Sequence, residues 1–319
     1  MSRSEALRRQ IGGAALEQFF LRASQSAKLH PRLREMLREV TVTPDLPYLP
    51  TGLPEHRLDL YRPRAATGPL PTIFFIHGGG FRILSKDTHW LMGALFARAG
   101  YQVFSINYRL APRHPFPAAP EDTHRALAWV LRHGEALGAD LRRLAFAGES
   151  AGANLATGLA LSAARPLPQP WARAIFDADP RPRAVVAACG LLQVTDIARF
   201  HRRRPLHTFL KDRLHEIERQ YLPPDLPPDA NARALADPLL VLEDRAPLAR
   251  PLPPFFIPVG TRDLLLDDSR RLEQALKARD TQAELIIYPG EVHAFHAFLW
   301  RPAAQQCWRD KLSFLSRHL

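Results

Sequence analysis

The stretch that decides the fold runs Arg143-Leu144-Ala145-Phe146-Ala147-Gly148-Glu149-Ser150-Ala151-Gly152-Ala153-Asn154. Apolar residues at 144–147 suit a buried strand, and the Ala- and Leu-rich segment over 151–164 suits a helix, so Ser150 is expected at a strand-to-helix turn. A turn that sharp needs small residues two before and two after the serine, and Gly148 and Gly152 stand there. The result would be a nucleophile elbow, with the hydroxyl lifted above the sheet. The pentapeptide Gly-x-Ser-x-Gly is common by chance. Its flanks give it weight, provided the rest of the chain supplies a base, an acid and donors for an oxyanion.

Working outward, further strands are expected at 72–76, 101–106, 184–188, 255–259 and 284–288, and helices at 117–133, near 268–279 and at 303–316. Asp87 is placed to cap a helix that runs through Arg98. Strands alternating with helices call for a mostly parallel sheet covered on both faces, an α/β fold. Residues 56–61 alternate as an edge strand would, after a connector carrying Pro44, Pro47, Pro50 and Pro54. Before it, residues 5–40 have helical periodicity, with Leu7, Ile11, Ala15, Phe19 and Leu21 on one face and a break near Pro31. Between 196 and 237 the chain is rich in Arg and Pro, with a helical stretch over 206–221. An insertion of that length between strands predicts a lid. The expected organisation is an N-terminal helical cap segment over 1–50 and a catalytic domain over 51–319, with a cap insertion at about 196–237.

A net charge of +11 would suit a nucleic-acid partner if it were concentrated. Only five of the 43 basic residues are lysines, and the arginines are spread along the chain; the one dense cluster, Arg199 with Arg202, Arg203 and Arg204, is expected to be a solvated surface. No apolar run is long enough for a membrane span, and no apolar segment follows the charged N-terminus, so neither stable membrane insertion nor secretion is expected and the cytoplasm is the default location. Cys189 and Cys307 are expected as buried thiols. A homodimer is left open.

Ser150 requires a base, and the base requires a carboxylate that holds its tautomer. The loop after 255–259 offers Asp263, and the loop after 284–288 offers His293. Both follow the carboxyl ends of expected strands, where distant residues of an open α/β sheet converge. His296 competes with His293 but would have to face differently, and Asp267 and Asp268 suit the start of the next helix. Glu149 adjoins the nucleophile along the chain, points away from it, and is taken as structural. Gly78, Gly79 and Gly80, directly after a strand, can bring bare N–H groups to a developing oxyanion, and Ala151 adds another at a helix N-terminus.

His77-Gly78-Gly79-Gly80-Phe81, Tyr108-Arg109-Leu110-Ala111-Pro112, Gly148-Glu149-Ser150-Ala151-Gly152 and the Asp263 loop together resemble the hormone-sensitive-lipase family of esterases over most of the chain. The resemblance implies an α/β-hydrolase fold with a helical cap, no cofactor, no metal, and hydrolysis of small-molecule carboxylic esters with short to medium acyl chains. It assigns Ser150 as nucleophile, His293 as base and Asp263 as its partner, with Gly79, Gly80 and Ala151 as oxyanion donors. Phe81, Phe20 and Phe209 are the candidates for the acyl pocket. Glu149 stands where the family usually has Asp or Thr, and Leu264 where Pro is usual; these departures bear on substrate preference. An amidase with the same triad is the alternative. A non-catalytic receptor is disfavoured because His293 is present.

Overall fold

The computed structural model describes residues 3–203, 205–227, 233–245 and 247–319. One sheet has the strand order β1-β2-β4-β3-β5-β6-β7-β8. Its strands are β1 (Val40–Pro47), β2 (Arg57–Pro63), β3 (Leu70–Ile76), β4 (Gln102–Ile106), β5 (Ala139–Glu149), β6 (Ala184–Ala188), β7 (Phe255–Gly260) and β8 (Ala283–Tyr288). β2 pairs antiparallel with β1 and β4, and the pairs from β4 across to β8 are parallel. The helices are α1 (Arg3–Leu29), α2 (Pro31–Arg38), α3 (Trp90–Arg98), α4 (Ala118–His133), α5 (Ala151–Ala164), α6 (Pro170–Ala178), α7 (Arg199–Arg203), α8 (Thr208–Tyr221), α9 (Pro238–Glu243), α10 (Leu266–Lys277) and α11 (Pro302–His318).

The period-two alternation of the strands builds two cores. Phe74, Ile76, Phe146 and Ile257 face one side with residues of α4, α5 and α10, while Ile73, Phe75, Ala147 and Val186 face the other with residues of α3 and α11. α5 is buried at every position, which its Ala, Gly and Leu content permits.

Several expectations need correction. The proline-rich connector contains β1, which takes the edge in place of residues 56–61; an edge strand tolerates proline because only one of its sides pairs. Asp45, at φ 58°, lies at the register shift between Thr43 and Leu46. Asp87 caps nothing, since α3 begins at Trp90 after His89; its carboxylate instead joins those of Asp45 and Asp59 around Lys86 Nζ, at 2.9, 3.0 and 2.8 Å. Asp268 is not a cap either: it is fully buried, accepts the Leu192 N–H at 2.9 Å and pairs with Arg199 at 2.6 Å. Arg199 is therefore not a solvated charge, and the side chains of Arg203 and Arg204 lie outside the described residues. α6 was not anticipated, although Pro170 at its first turn is a start signal.

The face expected on α1 is largely unburied, with Ala15 and Phe19 exposed; the Leu7 and Ile11 side chains lie outside the described residues. α1 packs against α8, where a Cβ on Gly13 would come within 2.8 Å of Arg213 Nη1. α8 in turn lies over the glycine loop after β3. A Cβ on Gly80 would meet Ile217 at 2.8 Å, and Arg82 Nε donates to Gln220 Oε1 at 2.7 Å. Residues 204 and 228–232 of the insertion lie outside the described residues. Among the described residues no helix is long and apolar enough to cross a membrane, and Cys189 and Cys307 are buried free thiols.

Candidate active site

β5 ends at Glu149 and α5 begins at Ala151, which leaves Ser150 alone in the turn at φ 54° and ψ −117°. That backbone is strained for a residue with a Cβ. It is held by the Ser150 N–H donating to Ala188 O at 2.9 Å and by the Leu191 N–H donating to Ser150 O at 3.2 Å. The two glycines are a steric necessity: a Cβ on Gly148 would lie 2.2 Å from Gly152 O, and one on Gly152 would lie 2.1 Å from Ile76 O.

Asp263 and His293 are brought together by the parallel pairing of β7 and β8. Asp263 is buried and His293 Nδ1 lies 3.1 and 3.0 Å from its two oxygens; Oδ1 also accepts the Leu265 N–H at 2.8 Å. Nδ1 therefore carries the proton and donates to the carboxylate, and Nε2 is left to accept a proton. The His293 side chain is 40% exposed, enough to meet a substrate. Burial disfavours its charged form, but Asp263 outweighs this and holds the imidazole well above its ordinary pKa.

Cys189, at the end of β6, lies in the same place, and ligand atoms of Cys189, Asp263 and His293 fall within 4.8 Å of one another. These three are the group that could hold a metal among the described residues, and two of them already form the acid–base pair. Burial pushes the Cys189 thiol pKa up, which keeps it protonated and unreactive.

The Gly78 N lies 3.4 Å from His89 Nε2, but that nitrogen donates to the Glu149 carboxylate at 2.9 Å and cannot also accept, so the contact does not occupy the Gly78 N–H. Gly79 and Gly80 adopt φ 116° and 61°, and a Cβ on Gly79 would sit 2.0 Å from Ile83 O. Ala151, first residue of α5, has no intrahelical acceptor for its N–H. Gly78, Gly79, Gly80 and Ala151 thus remain the candidate donors.

Glu149 is what the sequence left unexplained. Its side chain does leave the strand away from Ser150, and its carboxylate is buried between two imidazoles: Oε1 lies 2.9 Å from His89 Nε2 and Oε2 lies 2.6 Å from His296 Nε2. Burial works against its ionisation, but His89 and His296 outweigh it and hold the carboxyl well below the usual range. His296 pKa is lowered by burial and by Lys311, against the pull of Glu149. No periodicity or motif announces this contact, because His89 and His296 stand 60 and 147 residues from Glu149.

Of the pocket candidates, Phe81 is fully buried with its ring stacked on Tyr221 at 3.9 Å. Phe20 on α1 and Phe209 on α8 are 38% and 41% exposed.

A mostly parallel sheet with a strained serine between β5 and a buried helix, followed in chain order by an acid after β7 and a histidine after β8, defines the class of α/β hydrolases. The chain belongs to the alpha/beta hydrolase fold family, which it matches over residues 73–297. It is 30% identical over 249 residues to the acetyl esterase of Salmonella choleraesuis (strain SC-B67), covering 77% of this chain and 71% of that protein. Among solved structures it is similar to the esterase LipW of Mycobacterium marinum (TM-score 0.74, 26% identity, 96% of this chain and 90% of the other). It is also similar to the hyperthermophilic esterase of the archaeon Pyrobaculum calidifontis (TM-score 0.72, 26% identity, 97% and 96%). A third similar structure is that of an esterase from the bacterial hormone-sensitive lipase family (TM-score 0.68, 28% identity, 88% and 85%).

Proposed function

We propose that this chain is a serine carboxylesterase that hydrolyses short- to medium-chain acyl esters of small molecules through an acyl-enzyme. The observation that carries the reading is the His293–Asp263 pair at 3.0 Å, with the imidazole exposed, on the rim that also holds the strained Ser150 turn. The class of carboxylic ester hydrolase is further supported by family membership and by the acetyl esterases and esterases it resembles.

In this reading His293 Nε2 takes the Ser150 proton as Oγ attacks the ester carbonyl. The carbonyl oxygen becomes an oxyanion that accepts from Gly79, Gly80 and Ala151 N–H groups. His293 then protonates the leaving alcohol, and a water activated by the same nitrogen releases the acid. Asp263 accepts the hydrogen bond from His293 Nδ1–H and stabilises the imidazolium that forms. Membership of the hormone-sensitive-lipase group fits the glycine-loop and elbow sequences. The α1–α8 pair over the glycine loop serves as the cap that limits acyl length.

A panel of p-nitrophenyl esters and aryl amides, with fluorophosphonate labelling, tests this. Acetate to medium-chain esters are expected to turn over, with labelling lost in Ser150→Ala. Labelling retained in that variant, or amides turned over faster than esters, would sink the proposal.

A further inference from the structure

We propose that Glu149 is a positioning residue of this site, which acts through His296 to tie the loop carrying His293 to the nucleophile turn. The inference rests on the esterase reading above.

Glu149 immediately precedes Ser150, and its backbone is anchored in the sheet opposite Ala188 of β6. Any side chain bonded to its carboxylate is therefore referenced to the nucleophile itself. His296 is such a partner, three residues beyond His293 and joined to it through a short 3-10 turn, Phe295–Ala297. His89 is the other; its ring faces both Glu149 and the Gly78 N–H at the start of the glycine loop. One buried carboxylate thus connects the nucleophile turn, the base loop and the oxyanion loop.

The base loop needs such a link. β8 is the outermost strand, and its loop's other contacts lead to β7, to Cys189 after β6 or to the C-terminal segment: Arg262 N–H to Glu291 O at 2.9 Å, Arg301 to Glu291 at 2.9 Å, and His293 to Asp263 and Cys189. None of these reaches β5. The Glu149–His296 bond does. Trp308 Nε1–H donates to His296 O at 3.0 Å and fixes the ring's own backbone from the opposite side. His296 Nδ1 is buried without a partner, so the ring offers a single N–H, and it is spent on Glu149. Both side chains are nearly sealed, at 2% and 10% exposure, so water cannot substitute for either partner. Reaction requires the His293 and Ser150 atoms to be in register, and small misplacements of such groups are costly to rate while leaving ground-state binding intact.

The experiment compares Glu149→Gln, His296→Leu and His296→Gln with wild type in thermal unfolding, in kcat and KM on p-nitrophenyl acetate, and in fluorophosphonate labelling rate. For His296→Leu and Glu149→Gln, kcat and labelling rate are expected to fall about tenfold or more with KM within about twofold. His296→Gln, which keeps a donor, is expected to recover most of the loss. Glu149→Gln combined with His296→Leu should be little worse than either alone, because both break one link. Folded variants with wild-type kcat, or a loss lying in KM, or His296→Gln no better than His296→Leu, would overturn the positioning role. If His296→Leu fails to fold, the isosteric Glu149→Gln decides alone by the same split. Wild-type protein that hydrolyses no ester would overturn both proposals; an active, Ser150-dependent wild type with unaffected variants would overturn this one only.

Discussion

Asp263 meets His293 at 3.0 Å, and three residues further along the same loop His296 meets Glu149 at 2.6 Å. Each is a buried carboxylate facing an imidazole. They differ in the second nitrogen of the ring. His293 is 40% exposed with Nδ1 tied to Asp263, whereas His296 is 2% exposed, with Nε2 tied to Glu149 and Nδ1 buried without a partner. A base must both receive and release a proton, so only the first pair can do chemistry; the second can only hold position. The shifts follow the same division. Asp263 raises His293 despite burial, and burial with Lys311 lowers His296 despite Glu149.

The comparison breaks most directly at His293. Replacing it by Ala should lower kcat/KM by about 10,000-fold or more with little change in thermal stability, because the ring is partly exposed. A variant that keeps substantial Ser150-dependent turnover would mean that His296 can reach the serine. Asp263→Asn should cost about 1,000- to 10,000-fold, since the imidazole would lose its tautomer and orientation. It should also move the pH profile. His293 accepts a proton only when neutral, so its raised pKa places the acid limb of kcat/KM above the ordinary histidine range, with activity rising as pH rises through it. Without the carboxylate, burial is left to lower the pKa, and the limb should shift to lower pH; a limb that stays in place would show that Asp263 does not set it.

Gly79→Ala should reduce kcat by about 100- to 1,000-fold, because the added Cβ would lie 2.0 Å from Ile83 O and force the donor loop to move. Steady-state kinetics with a circular-dichroism check on folding measures this. The smallest effect sharpens the identity of the nucleophile. Cys189 sits beside the open pair, but its buried thiol stays protonated, so Cys189→Ala should keep kcat/KM within about threefold. A large loss would indicate that the Asp263–His293 pair serves the thiol.

Elements with strong local signals were legible in advance. The apolar run at 184–188 and the small-residue helix at 151–164 coincide with β6 and α5. The edge of the sheet was not legible, because β1 is made by pairing with β2 and its prolines and charges disguise it. Asp268 looked like a helix cap because its partners, Leu192 and Arg199, are supplied by a distant segment.

What the sequence by itself determined is the chain of chemical types in order: glycine loop, serine between two glycines, acid, histidine, each directly after an apolar run. Local sterics and period-two burial suffice for that, since they depend on neighbours along the chain. The tertiary structure alone decided which histidine faces Asp263 and which partners Glu149 meets. Those outcomes depend on contacts between residues 30 to 147 positions apart, and such contacts exist only once the parallel strands have aligned their loops on one rim.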